Sequence, residues 1–286
     1  MAGRDAAALP RPASRTGPGR AQRAGRPRSA TWKRDLTGWA FAFPFVAIFA
    51  VFLAGPVLAS LVLAFTDFGL RDLRNPLGVD FVGLDNFVAL FADARFWTAL
   101  GNTVFFVVVG VPLTLILGLG AALALDRGID RFRTLFRVGY YLPVVTSIVA
   151  VAVVWRFLLQ PDTGIVNTLL GYVGIEGPSW LRSETWAMPS LIVMSAWRNM
   201  GALVIIFLAG LQVVPKEMHE AAAIDGAGAW GRFRHITLPL MRPTLLFGGV
   251  ITMIGYLQFF EEPFVMTRGG PLDSTLSAAS PSTRAR

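Results

Sequence analysis

Long apolar blocks alternate with short polar connections along this chain. The blocks run over approximately Leu36–Thr66, Thr98–Leu125, Val138–Leu159, Trp186–Leu211 and Leu240–Phe260. A bilayer core of roughly 30 Å needs about 20 helical residues, so this pattern predicts five membrane-spanning helices. Pro44, Pro56, Pro112 and Pro189 lie inside the blocks. Membrane helices tolerate such residues when neighbouring groups satisfy the freed backbone. Trp39, Trp97, Trp155, Trp180 and Trp186 sit near block ends, where aromatic residues anchor at the interface. The fold class expected is an all-α polytopic membrane bundle.

Charge then orients the spans. Residues 1–35 hold nine Lys or Arg against two Asp, in a setting rich in Pro, Gly and Ala. Such a stretch cannot bury enough apolar surface to offset its ordering entropy, and it reads as a disordered basic tail. The connection Asp67–Trp97 has three Arg against five Asp, and Asp126–Arg137 has four Arg against two Asp. Gln160–Thr185 carries Arg182 against Asp162, Glu176 and Glu184, whereas Gln212–Pro239 carries Lys216, Arg232 and Arg234. Basic-rich and basic-poor connections alternate without a break, so the N-terminus and the 212–239 connection are expected on the cytoplasmic side. The first block is too long for a signal-peptide core and is expected to stay as an anchor. The net charge of +8 gathers in the tail rather than on a recognition face, and nucleic acid is not expected as a partner.

Several chemistries drop out. The chain has no cysteine, which removes disulfides, thiolate metal sites and thiol nucleophiles. Its two histidines, His219 and His235, read as interfacial residues rather than metal ligands. "GAGAWG" at Gly226–Gly231 is a literal G-x-G-x-x-G, but a dinucleotide fingerprint needs a preceding strand, and a helix is expected there. No G-x-x-x-x-G-K-[ST] occurs, so no ATP or other cofactor is expected in this chain. Glu261 and Glu262 are adjacent, but helical neighbours point about 100° apart and do not face one substrate atom. No enzyme is expected.

The connection "EAAAIDGAGAWGRFRHITLPLMRP", Glu220–Pro243, has its own logic. Pro215 suits the first turn of a helix, Glu217 and Glu220 favour the positive end of its dipole, and Ala221–Ala223 make a smooth face. Asp225 precedes Gly226, which can take the left-handed conformation that stops a helix. The prolines of "ITLPLMRP" are expected in the first turn of the fifth span. A short helix on the cytoplasmic face could seat in a partner's socket, or serve only as an amphipathic connector.

This stretch resembles the EAA loop of permease subunits from binding-protein-dependent ABC importers: Glu220, Ala221 and Ala222, then Asp225 and Gly226, then Ile236, Leu238 and Pro239 of Ile-x-Leu-Pro. "FVGLDNFVALFADARFWTALGNTVFF", "YYLPVVTSIVAVAVVWRFLL", "WRNMGALVIIFLAGLQVVPKEMHEAA" and "LQFFEEPFVMTRGGP" are similar to the carbohydrate-importer group, in the family's order, from about residue 40 to 275. The resemblance implies a permease domain over 36–275 of the type I importer kind. Its 215–239 loop would couple to a dimeric cytoplasmic ATPase that holds the ATP and Mg. It implies a second permease subunit and an extracytoplasmic solute-binding protein as further partners, and alternating access as the mechanism, with a sugar or related polyol as solute.

Arg198 and Asn199 lie within the fourth span, where a bare arginine costs at least ~2.5–3.5 kcal/mol and must face the bundle interior or a wet cavity. With Gln258, Glu261, Glu262 and Asn102 they either line a solute pathway or bond to one another as structural glue. The family's sixth span has no counterpart here. "LDSTLS" resembles the family and "AASPSTRAR" does not, so a truncated, non-functional permease is a second expectation. A passive channel without ATPase coupling is the rival in another class.

Overall fold

The computed structural model describes residues 28–69, 72, 79–128 and 133–280. The 1–27 part of the basic tail and residues 281–286 lie outside the described residues. The chain divides into two compact units, residues 1–86 and 87–286.

In the first unit, α1 (Arg28–Phe49) starts eight positions before Leu36, inside the stretch that composition alone assigns to a disordered tail. A wide π turn, Ala50–Ala54, joins it to α2 (Gly55–Leu63), with the Gly55 N–H bonded to Ala50 O. Pro56 explains the widening. It brings no N–H, and its ring crowds the carbonyl four residues earlier, a conflict that a turn with one extra residue accommodates. Beyond α2 the chain turns back through an isolated antiparallel bridge between Thr66 and Phe81. Asn86 Nδ2 secures that turn by donating to Ala64 O at 3.0 Å and Thr66 O at 2.8 Å.

After α3 (Asp85–Phe91), the second unit is built on α4 (Ala94–Gly128). The third apolar block then forms two helices, α5 (Arg133–Val145) and α6 (Ile148–Leu158), which meet at 106°. A single straight span was expected there. The break falls at Thr146–Ser147, three residues after Pro143. The Thr146 N–H and hydroxyl both bond Leu142 O, at 3.2 and 2.8 Å, and Ser147 leaves the helical region at ψ 130°. Hydroxyl residues that offer the backbone local alternatives end helices in this way.

A loop helix, α7 (Ile165–Tyr172), leads to α8 (Glu184–Gln212). Then come α9 (Lys216–Ile224), α10 (Ala229–Arg232), a second π turn Phe233–Thr237, α11 (Leu238–Leu257) and α12 (Glu261–Met266). The fifth apolar helix therefore begins at Ala229, not Leu240. Pro239 sits within a continuous helix, two residues past a π turn, as Pro56 does in the first unit.

α4 and α8 run parallel, Gly110 lying by Ile192 and Gly118 by Leu203, and α11 returns antiparallel with Gly248 against Leu203 and Phe207. One buried cluster centres on Phe106, Leu191, Met194, Tyr256 and Phe259, another on Ala122, Leu203, Phe207 and Met241. Outward residues such as Ile116 and Leu246 are exposed. Lipid offers no hydrophobic drive between helices, so close packing through small residues holds such a bundle. Gly201 is the tightest case: any Cβ there would collide with the Tyr140 carbonyl of α5.

Candidate functional site

Two features stand at different places in the second unit. The first is α9. Its residues are all exposed or half-buried, and Met218 and Ile224, with Trp230 beyond, present large apolar surface outward. Pro215 caps it from just outside, at φ −62° and ψ 131°, rather than from its first turn. The helix ends as a Schellman motif. Gly226 takes φ 81°, its N–H bonds Ala223 O at 3.1 Å, and the Ala227 N–H bonds Ala222 O at 2.8 Å. Nothing lies within 4 Å of the position a Gly226 Cβ would take, so the dihedral alone demands glycine. The G-x-G-x-x-G string therefore follows a helix and leads into another.

Glu220, Ala221, Asp225 and Gly226 are exposed and Ala222 is half-buried. Ile236, Leu238 and Pro239 flank the buried Thr237 and tie the loop to α11. Between α9 and the ends of α4 and α8 lies a cavity of about 920 Å³, reached by Asp126, Gln212, Lys216, His219, Arg232 and Thr237. Among the described residues no group of three or more His, Cys, Asp or Glu could hold a metal ion.

The second feature is a cavity of about 470 Å³ that brings together Arg198 and Asn199 of α8 with Gln258, Glu261 and Glu262 beyond α11. That volume falls in the roughly 300–1,000 Å³ range of small-molecule sites. α8 places Arg198 and Asn199 one turn beyond the buried Ser195, whose carbonyl accepts from Asn199 Nδ2 at 2.9 Å. Arg198 Nε is buried with no protein partner. Glu262 is buried and Glu261 exposed, although both belong to the first turn of α12.

Sequence reasoning passed over Thr252, Tyr256 and Phe259, which also line this cavity. Thr114 gives its proton to Gly110 O at 2.7 Å, so the Tyr256 hydroxyl donates to Thr114 Oγ1 at 2.8 Å. Phe259 stacks on Phe106 with centroids 4.1 Å apart. The signal was present as the i, i+4 pair Thr252 and Tyr256 on one face of α11, with Phe259 just past its end. Asn102 stands elsewhere: its Nδ2 donates to Asp273 O at 2.9 Å and Leu276 O at 3.0 Å.

The model of the family described as "Binding-protein-dependent transport system inner membrane component" matches residues 94–281. The chain is 39% identical over 248 residues to the lactose transport system permease protein LacF of Rhizobium radiobacter, covering 85% of this chain and 80% of that one. It is 34% identical over 244 residues to the arabinooligosaccharides transport system permease protein AraP of Bacillus subtilis (strain 168), covering 84% and 74%. Among solved structures it is similar to a chain of a bacterial alginate ABC transporter, in complex with an alginate pentasaccharide-bound periplasmic protein. The TM-score is 0.70 at 27% identity, covering 87% of this chain and 81% of that one.

Proposed function

The chain belongs to the family of binding-protein-dependent transport system inner membrane components, and from that premise we propose that it is the non-enzymatic, multi-pass permease subunit of a carbohydrate importer. Relatives named for lactose and arabinooligosaccharides support the substrate class. The cavity suits it chemically: Arg198, Asn199 and Gln258 offer donors, while Glu261, Glu262 and the amide oxygens accept. A polyhydroxylated solute needs both kinds of partner.

Energy comes from a partner ATPase dimer, which holds the ATP and Mg. A second permease subunit completes the pathway, and an extracytoplasmic solute-binding protein delivers the solute, as the periplasmic protein accompanies the alginate transporter. α9 faces the cytoplasm and seats in the ATPase. Closure of the ATPase dimer pushes α9, and α11, joined to it through the Gly226 turn, α10 and the π turn, carries the displacement towards the cavity. The cavity then opens alternately to the two sides.

The observation that carries this reading is α9 itself, a nine-residue helix with no buried residue, exposed Ile224 and a glycine stop. A passive channel gains nothing from such a helix. Isolation of the tagged chain from cells expressing its partners should bring down an ATP-hydrolysing subunit, and Glu220→Lys should weaken that association. A transporter that moves labelled oligosaccharide without any ATPase bound would sink the proposal.

A further inference from the structure

Residues 267–278 fold back onto the beginning of α4. Arg95 grips Asp273 with a two-pronged fork, Nε to Oδ2 at 2.9 Å and Nη2 to Oδ1 at 2.8 Å. Two turns further along α4, Asn102 holds the carbonyls of Asp273 and Leu276. Thr103 Oγ1 gives its own proton to Ala99 O and accepts the Ala278 N–H at 3.0 Å. The Thr267 and Thr275 hydroxyls meet at 2.6 Å inside the segment. The segment continues directly from α12, whose Glu261 and Glu262 line the cavity.

The seated segment is not relaxed. Arg268, Leu272 and Asp273, none of them glycine, take φ of 52°, 51° and 61°, a conformation that costs any L side chain. Ser274 Oγ and Ser277 Oγ are buried without a partner, and unpaired buried hydroxyls are costly as well. Strain and unpaired hydroxyls favour leaving the seat, while the fork and the Asn102 and Thr103 bonds favour staying. Opposed terms of this kind within one short segment make a two-state element. The fork is the part most easily broken, because its side chains are 54% and 35% exposed and water competes for both.

We propose that residues 267–278 are a releasable gate at the end of the cavity away from α9, seated by the Arg95–Asp273 fork and by the Asn102 and Thr103 bonds. The proposal rests on the transport reading above. The absence of cysteine gives a clean test. A single reporter, Gln258→Cys, is labelled with a membrane-impermeant methanethiosulfonate from the side of the solute-binding protein, in cells holding the assembled transporter. Arg95→Ala should raise the labelling rate by about fivefold, the shift an exposed ion pair can hold. The exchange Arg95→Asp with Asp273→Arg should bring it back. Asp273→Asn, almost unchanged in shape, should behave like Arg95→Ala and covers the case in which the alanine variant fails to assemble. Parental labelling in Asp273→Asn, or an exchanged pair that labels as fast as Arg95→Ala, overturns the gate. Oligosaccharide uptake by cells holding the cysteine-free parent transporter, with Gln258 in place, separates the two readings. Labelling that responds while the parent takes up nothing sinks transport and leaves the gate, whereas normal uptake with indifferent labelling sinks the gate alone.

Discussion

Both ends of α11 lead into glycine-rich turns, yet only one of the two turns is also bonded to a distant helix. At the α9 end, Gly226 and Ala227 bond carbonyls three and five residues back, and His235 Nδ1 meets Gly231 O at 3.0 Å. Every one of those contacts is local. At the α12 end, local bonds such as Thr275 N–H to Gly269 O at 2.9 Å are joined by long-range ones from Arg95, Asn102 and Thr103, which lie 171 to 178 positions away in the chain. A turn that supplies its own bonds keeps its shape whatever the helices around it do, which suits a part that must transmit a push. A turn bonded to another helix keeps its shape only while that helix stays adjacent, which suits a part that must respond to separation.

The contrast can be broken in several places. The largest effect is all-or-none: reporter fusions at Gly128 and Gly228 should read cytoplasmic, and fusions at Gly78 and Gly177 external. A cytoplasmic reading at Gly177 would overturn the charge argument, place the α9 loop on the outer side and dissolve the comparison. Next, Gly201→Val should disable both ends together, because its side chain must displace the Tyr140 carbonyl between α5 and α8. Overpacking of this kind costs about 1–3 kcal/mol, and the yield of folded chain on size-exclusion chromatography should fall sharply. Gly226→Val should strike the α9 end only, at about 1–2 kcal/mol for a branched side chain held left-handed. Uptake should fall while Gln258→Cys labelling stays at the parental rate. An effect of similar size belongs to Asn102→Leu, which loses two hydrogen bonds worth about 1 kcal/mol each. It should quicken Gln258→Cys labelling and leave ATPase binding intact; reduced ATPase binding would show that the two ends are not independent.

The same distinction explains what could be read from the chain before its fold was known. Three spans and the glycine stop at Gly226 are local properties, written as hydrophobic runs and a single residue type, and they stand where the pattern puts them, whereas the last span begins earlier, at Ala229. The bend at Thr146–Ser147 was missed because a mean over an apolar block does not register two hydroxyl residues in its middle. Arg198, Asn199, Gln258, Glu261 and Glu262 drew notice as polar residues in apolar surroundings, and they line one cavity. Tyr256 and Phe259 did not, since aromatic residues raise no alarm in an apolar run. Nothing local marks Arg95 and Asp273 as partners. Arg95 lies in a connection crowded with acids, and only the parallel run of α4 beside α8, with α11 returning, brings Asp273 to it.

The π turn at Phe233–Thr237 has a consequence for how the loop is aimed. A π turn carries one residue more than an α-helical turn, and each residue of an α-helix advances the face by about 100°. Removing any one residue from 233–237 would let the helix close in ordinary α geometry. The buried face of α11, with Met241, Gly248, Thr252 and Tyr256, could stay where it is. α9, with its Schellman stop intact, would then point about a quarter-turn away from its present heading. The bearing of α9 is thus an integer count of residues, separate from the sequence of α9 itself. A single deletion distant from Glu220 and from the Arg198 cavity would leave that cavity's lining in place and still disconnect it from α9.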